Sequence, residues 1–148
     1  MTKRGRPIEI LLVEDSPSDA LITREALAES RVLNSLHQVD NGVEAMRYLR
    51  REGDYANAPR PDLVLLDWKL PRMSGEEVLA AIRQDPALTD LPIVVLSTSK
   101  AEEDVLTSYG LHANCFITKP VEFGRFVEVI RSVGDFWFSI VTLPGAAR

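Results

Sequence analysis

The side chains best suited to chemistry in this sequence each follow directly after a short apolar run of the chain. They are Glu14, Asp15, Asp67, Ser97 and Lys119. Carboxylates can ligate a hard divalent cation, and a carboxylate can also attack phosphorus to form an acyl phosphate. A hydroxyl and an ammonium can neutralise or hydrogen-bond the oxygens of a phosphoryl group in transfer. This set of residues therefore suits phosphoryl chemistry, provided that the fold brings its members together.

The apolar runs that precede these residues predict five β-strands. They are residues 8–13, 36–39, 63–66, 93–96 and 115–118. Continuously apolar runs suit strands that are buried on both faces of a parallel sheet. The second run is the most polar of the five, so we expect it at an edge of the sheet.

Helical periodicity separates these runs and predicts five helices. Their first turns are expected after Ser16, Asn41, Ser74 and Ser99 and near Glu122. Capping side chains and a proline at the first helical position, Pro17, support the assignment. In the first helix we expect one inward face, formed by Ile22, Thr23, Ala26 and Leu27.

A strand and a helix thus alternate five times, which predicts an α/β fold with a doubly wound parallel sheet. In such sheets ligands bind beyond the carboxyl ends of the strands, where the five candidate residues stand. Three crowded carboxylates resist ionisation unless a cation neutralises them, and Mg²⁺ prefers oxygen ligands. Asp67 would then be the nucleophile toward phosphorus, with the Lys119 ammonium and the Ser97 hydroxyl covering phosphoryl oxygens.

Each of these features has a simpler explanation when it is taken alone. Glu14 and Asp15 could cap the helix that follows, and Ser97 could belong to a capping run. Two other functions also use some of the same residues. A Mg²⁺-dependent phosphohydrolase would need an acid/base carboxylate near the nucleophile and a cap, whereas Lys69 stands two residues after Asp67. A pseudo-receiver that only binds partners would be favoured if a site residue were missing, and all are present.

With these residues in place, the chain resembles the CheY-like receiver domains of two-component signalling. The resemblance rests on four motifs: Val13-Glu14-Asp15, Asp67-Trp68-Lys69-Leu70-Pro71-Arg72-Met73-Ser74-Gly75, Val94-Val95-Leu96-Ser97-Thr98 and Phe116-Ile117-Thr118-Lys119-Pro120. It implies the flavodoxin-like (βα)5 fold with strand order 2-1-3-4-5. It also implies a phosphoacceptor switch, not an enzyme, that takes its phosphoryl group from a sensor histidine kinase.

The resemblance further assigns roles to single residues. Asp15, Asp67 and the carbonyl oxygen of Lys69 would ligate Mg²⁺, with Glu14 acting through water. Glu14 stands where aspartate is commoner, and the Lys69 side chain either alters the lifetime of the phosphoryl group or is simply solvated.

Three further roles follow from the same resemblance. Lys119 would contact the phosphoryl group, and the Lys119–Pro120 bond would be cis. Ser97 and Phe116 resemble the family's switch pair, and the alternative for Phe116 is a plain core aromatic on the fifth strand.

A narrower resemblance, to the stand-alone regulators of phytochrome-type kinases, lies in the loop 53–61 and the tail 135–144. We expect a basic tail over residues 1–7, a receiver over 8–133 and an extension over 134–148. Large apolar residues of the extension, Phe136, Trp137 and Phe138, predict a homodimer interface. The alternative is that the extension folds back on its own domain. No output module is expected, so the output would be protein contact or onward relay to a phosphotransfer protein.

The composition excludes several other classes of protein. A net charge of -5 and a pI near 5.1 argue against a nucleic-acid binder. No apolar stretch approaches the ~20 residues of a membrane span. The lone cysteine, Cys115, excludes an intrachain disulfide and fits a cytoplasmic protein.

Overall fold

The structure, a computed structural model, describes residues 7–29, 33–98, 101, 113, 115–122 and 124–125. Several predictions lie outside these residues. They concern the fourth helix, most of the fifth helix and residues 1–6 of the predicted basic tail. They also concern the extension 134–148, with Phe136, Trp137 and Phe138 and the homodimer predicted from them. In the part of the chain that is described, no helix is long and apolar enough to cross a membrane.

Five parallel strands form one sheet in the predicted order, β2-β1-β3-β4-β5. They are β1 (Ile8–Val13), β2 (Asn34–Val39), β3 (Leu63–Asp67), β4 (Ile93–Ser97) and β5 (Cys115–Thr118). Every neighbouring pair is parallel, so all five carboxyl ends lie at the same rim of the sheet. The prediction of strands and topology is confirmed.

The central strands carry the apolar runs because both of their faces are covered. Every residue of β3 and β4 is buried, as are all but one in β1. Five of the six residues of β2 are only half-buried, which agrees with the predicted edge position. Two hydrophobic clusters result, one centred on Leu12 and Leu65 and the other on Leu11 and Leu66. Alternate residues of a strand point to opposite faces, so neighbouring leucines enter different clusters.

Three helices that pack on this sheet are α1 (Pro17–Glu29), α2 (Gly42–Leu49) and α3 (Gly75–Gln84). The predicted caps are present at their first turns. The Ser16 hydroxyl accepts the backbone N–H of Asp19 at 3.2 Å, and the Asn41 side chain accepts that of Glu44 at 2.9 Å. Ser74 forms a capping box with the residue three positions on, which satisfies two otherwise unpaired N–H groups.

The expected inward face of α1 was wrong at one position. Ile22 is 38% exposed, whereas the buried residues of this helix are Ala20, Thr23, Ala26 and Leu27. Those four are spaced at three and four residues, so they form one stripe on a helix of 3.6 residues per turn. Ile22 precedes Thr23 by one residue and is therefore rotated about 100° away from the stripe.

The long segment 53–61 is mostly exposed, as predicted, but it begins with a 3-10 turn at Gly53–Tyr55. Tyr55 holds this turn against α2. Its hydroxyl donates to Glu44 at 2.7 Å, and its ring centroid lies 5.4 Å from that of Tyr48.

Candidate functional site

Backbone hydrogen bonds beyond the regular strands fix the residues that follow them. The N–H of Glu14 donates to the carbonyl of Val39 at 3.0 Å, and that of Trp68 donates to Leu96 at 3.1 Å. The N–H of Lys119 donates to the carbonyl of Ser97 at 2.8 Å. The sheet ladder therefore continues for one residue past the strands and aligns the candidate side chains at one rim.

Lys119 is at the centre of the resulting cluster. Its ammonium Nζ lies 2.8 Å from Glu14 Oε1, 3.0 Å from Asp19 Oδ2 and 3.2 Å from Asp67 Oδ1. The lysine side chain is only 13% exposed, so little water screens these contacts. The predicted meeting of Glu14, Asp67 and Lys119 is confirmed.

The residues present fit a divalent cation. Glu14, Asp15 and Asp67 each offer a carboxylate oxygen, and these oxygens lie within 4.8 Å of one another. Among the described residues, buried Glu14 Oε1 contacts the Lys119 ammonium as an ion pair at 2.8 Å and has no other partner. One ammonium does not neutralise three neighbouring carboxylates, so a second cation would stabilise the cluster. Asp15 is exposed and leaves one side of the cluster open to solvent.

Burial dominates the electrostatics of the cluster. It raises the pKa of the Glu14 carboxyl to about 7, although the Lys119 charge opposes the change. Burial also raises the pKa of Asp67, opposed by Lys119 and by the backbone N–H of Lys69. Burial alone would lower the pKa of Lys119, but the carboxylates of Glu14 and Asp19 raise it above its ordinary value. A further positive charge would favour the ionised carboxylates, which is the condition for ligation and for nucleophilic attack.

The remaining predicted site residues lie on the neighbouring strands. Ser97 is buried and stands one residue past Leu96, which pairs with Asp67 across the β3–β4 ladder. Phe116 is half-buried on β5 and packs against the cluster centred on Leu11 and Leu66. The Lys119–Pro120 peptide bond is cis, as the resemblance implied.

An open groove of about 490 Å³ lies beside the cluster. Its lining includes Asp15, Trp68, Lys69 and Pro71. The residue Lys69 is exposed, which is compatible with either role that the sequence left open for its side chain. This groove leaves the rim of the sheet open to solvent beside Asp15.

Sequence reasoning missed Asp19, which supplies one of the three carboxylates within 3.2 Å of the Lys119 ammonium. Asp19 lies in the first turn of α1, where an acidic residue is expected to favour the helix dipole. Because the helix dipole already accounts for an aspartate at this position, the sequence gives no reason to expect the contact of Asp19 with Lys119. The only indication in the sequence is its position four residues after Asp15.

The family model described as response regulator receiver domain matches residues 10–131 of this chain. Response regulator Rcp1 of Synechocystis sp. is 44% identical over 140 residues, which are 95% of this chain and 95% of that protein. The Mn²⁺-bound form of Rcp1 superposes with a TM-score of 0.73 and covers 93% of this chain and 99% of that structure.

Two further solved structures are similar over most of the chain. The phosphorylated cyanobacterial phytochrome response regulator RcpA is 49% identical, with a TM-score of 0.74, and covers 93% of this chain and 99% of that one. The bacteriophytochrome response regulator RtBRR is 42% identical, with a TM-score of 0.84, and covers 88% of this chain and 80% of that one.

Proposed function

The chain belongs to the response regulator receiver family of two-component systems, and from this premise we propose that Asp67 accepts a phosphoryl group from a sensor histidine kinase. One observation carries the proposal. The Lys119 ammonium lies 3.2 Å from Asp67 Oδ1 at the same rim where Glu14 and Asp15 gather their oxygens. A nucleophilic carboxylate and a cation for the phosphoryl oxygens therefore stand side by side.

In the proposed reaction, an Asp67 carboxylate oxygen attacks the phosphorus of a phosphohistidine. The phosphorus–nitrogen bond breaks, the imidazole keeps the electron pair, and an acyl phosphate forms on Asp67. The Lys119 ammonium would move from the carboxylates onto a phosphoryl oxygen, and the Ser97 hydroxyl would donate to another. Phe116 would repack as Ser97 moves, so that phosphorylation changes the surface near β4 and β5.

We propose Mg²⁺ as the resident cation, held by Asp15, Asp67 and the carbonyl oxygen of Lys69, with Glu14 acting largely through water. When bound, the ion supplies neutralising charge for the phosphoryl oxygens. The mutual approach of three carboxylate oxygens within 4.8 Å supports this assignment. So does the existence of a Mn²⁺-bound form of Rcp1, which is 44% identical to this chain.

We further propose that the kinase is phytochrome-like. RcpA and RtBRR, which are described as phytochrome and bacteriophytochrome response regulators, are 49% and 42% identical to this chain. The output would be protein contact, either in a homodimer or with a downstream phosphotransfer protein. The chain would act as a switch that turns over only its own aspartyl phosphate, not as an enzyme on other substrates.

Intact-mass measurement after incubation with Mg²⁺ and acetyl phosphate tests the phosphoacceptor. We expect the mass of one phosphoryl group to be added to the wild type and to Asp54→Asn, a matched variant in the exposed 3-10 turn. Asp67→Asn should gain none. An adduct that survives in Asp67→Asn, or no adduct on the wild type, would contradict the proposal.

A transfer assay tests the kinase separately. A phytochrome kinase labelled on its histidine should pass label to this chain faster than an unrelated histidine kinase does. Equal rates would overturn the phytochrome assignment while leaving the phosphoacceptor in place.

A further inference from the structure

A groove of about 470 Å³ lies at the end of the domain remote from Asp67. It is lined by the end of α2, by the segment before β3 and by the segment after α3, which include Arg50, Arg51, Arg60 and Asp85. Because β3 begins near Arg60 and ends at Asp67, the groove and the phosphorylation rim are at opposite ends of the sheet. Nothing in the proposed phosphoryl chemistry uses these arginines.

The charge of this groove is opposite to that of the whole protein. Three guanidinium groups and one carboxylate line it, whereas the chain carries a net charge of -5. The single carboxylate does not neutralise them. Asp85 Oδ2 lies 3.6 Å from Arg50 Nε, which is long for a charged hydrogen bond, and Asp85 Oδ1 already accepts the N–H of Ala87 at 2.9 Å.

Arg51 occupies a backbone conformation that normally favours glycine. Its φ is 57°, and it stands one residue past the C-cap of α2. The N–H of Arg51 donates to Tyr48 at 3.1 Å and that of Glu52 to Arg47 at 2.9 Å, which is the bonding pattern of a Schellman motif. A side chain at this position raises the free energy of the fold, so its presence calls for another role.

The ends of the helices account for only part of the cluster. Cations are favoured at helix C-termini, and Arg60 Nη1 donates to the carbonyl of Ala87 beyond α3 at 2.8 Å. That bond uses one of the five N–H groups of the guanidinium and holds Arg60 across the groove. Within the described residues, Arg51 has neither an ion pair nor a side-chain hydrogen bond, so the same explanation does not extend to it.

The shape of the surface favours an extended ligand. A second groove of about 410 Å³ shares Arg60 and continues along Pro61, Leu91 and Pro92, with the carboxylates of Asp62 and Asp90 also in its lining. The two grooves together form an elongated surface that is basic in the first groove and acidic in the second, with apolar residues in both. A compact anion would fill only the arginine end, whereas an extended peptide can place acidic groups on the arginines and apolar or basic groups further along.

We propose that this surface binds an extended peptide segment of a partner protein whose acidic end lies on Arg50, Arg51 and Arg60 and whose apolar or basic residues lie toward Asp62 and Asp90. The site is separate from the phosphoacceptor, so binding does not require phosphorylation of Asp67. Carboxylates pair with guanidinium groups through two parallel hydrogen bonds, which gives the arginine end its selectivity for acidic side chains.

Two substitutions of the same type give a matched test. Arg51→Gly removes one guanidinium and relaxes the left-handed backbone, so this variant is expected to fold with an equal or higher melting temperature. Arg72→Gly is the control, because Arg72 also has a positive φ, of 69°, but lies in the loop before α3. Both variants change the net charge equally.

Fluorescence anisotropy of the full chain with a labelled peptide of several glutamates followed by apolar residues, at low salt, is the measurement. We expect saturable binding that weakens with salt, is about tenfold weaker in Arg51→Gly, and is unchanged in Arg72→Gly. Absence of wild-type binding, or equal losses in the two variants, would overturn the proposal. It would also be overturned if oligolysine bound as tightly as the peptide, or if an oligouridylate bound more tightly. The same holds if inorganic pyrophosphate displaced the peptide when the two are present at equal concentrations of negative charge.

Discussion

Replacing Gly75 by alanine should disturb the phosphoacceptor through its backbone. A Cβ atom at this position would lie 2.5 Å from the carbonyl oxygen of Asp67 and 2.8 Å from both the Cα and the carbonyl oxygen of Trp68. These neighbours are backbone atoms of β3 and of the loop that follows it, and they cannot rotate away as a side chain could. The first turn of α3 must therefore move away from Asp67, or Asp67 must move with it.

The size of the effect follows from these contacts. Overpacking of a tight interior costs about 1–3 kcal/mol. Replacing glycine by alanine in a helix returns up to about 1 kcal/mol, and less in the first turn. The net loss in the free energy of unfolding therefore lies within about 0–3 kcal/mol; its middle, about 1–2 kcal/mol, corresponds for a domain of this size to a melting temperature lower by about 2–8 °C.

Two assays on Gly75→Ala check this prediction together. Thermal unfolding should give the lower melting temperature, and the rate of phosphorylation by acetyl phosphate should fall because Asp67 is displaced from Lys119. Gly124→Ala is the matched control, since a Cβ atom there meets no atom of the described residues within 4 Å. If Gly75→Ala were as stable and as reactive as Gly124→Ala, the close approach of α3 to Asp67 would not limit either property.

Three further outcomes follow from the site and from the turn beside α2. Asp15→Asn should weaken Mg²⁺ binding in a calorimetric titration with little change in melting temperature, because Asp15 is exposed. A large loss of stability would show that Asp15 also has a structural role and would contradict this prediction. Lys119→Gln should bind Mg²⁺ about tenfold or more tightly, because a competing positive charge is removed, yet accept phosphoryl groups more slowly; weaker Mg²⁺ binding would refute this. Tyr55→Phe should lower the melting temperature at neutral pH, because the Tyr55 hydrogen bond lowers the pKa of Glu44 below its ordinary 4.5. The stabilisation by this hydrogen bond is present above pH 4.5 and is lost as the pH falls through the lowered pKa, so the melting temperatures of Tyr55→Phe and wild type should converge in acid. A difference in melting temperature that does not change with pH would contradict this explanation.

The sheet and its rim were predictable because burial on both faces leaves a strong pattern. Every residue of β3 from Leu63 to Asp67 is buried, and a continuous apolar run is typical of a parallel strand that is covered on both faces. The alternation with helices then fixed a parallel sheet, and a parallel sheet brings the ends of its strands together. Glu14, Asp67 and Lys119 could therefore be placed at one rim from the sequence alone.

Two kinds of feature could not be predicted in this way: the rotation of a helix against the sheet, and a contact between residues far apart in the sequence. Ile22 is as apolar as a core residue, but its exposure depends on where α1 meets the sheet. An aspartate in the first turn of a helix is expected without any further role. The hydrogen bond from Lys119 to Asp19 joins residues one hundred positions apart, so no local spacing in the sequence indicates it. The left-handed backbone of Arg51 is equally hidden, because sequence rules expect glycine there.

Chemical mapping of the phosphorylated residue tests the central claim most directly. The chain would be incubated with acetyl phosphate and Mg²⁺, reduced with borohydride, which converts an aspartyl phosphate to homoserine, and digested for peptide mass spectrometry. Homoserine at position 67, lost when Mg²⁺ is removed with a chelator, is the predicted result. Homoserine at Asp15 or Asp19 instead, or at no position, would contradict the assignment of Asp67 as the nucleophile beside Lys119.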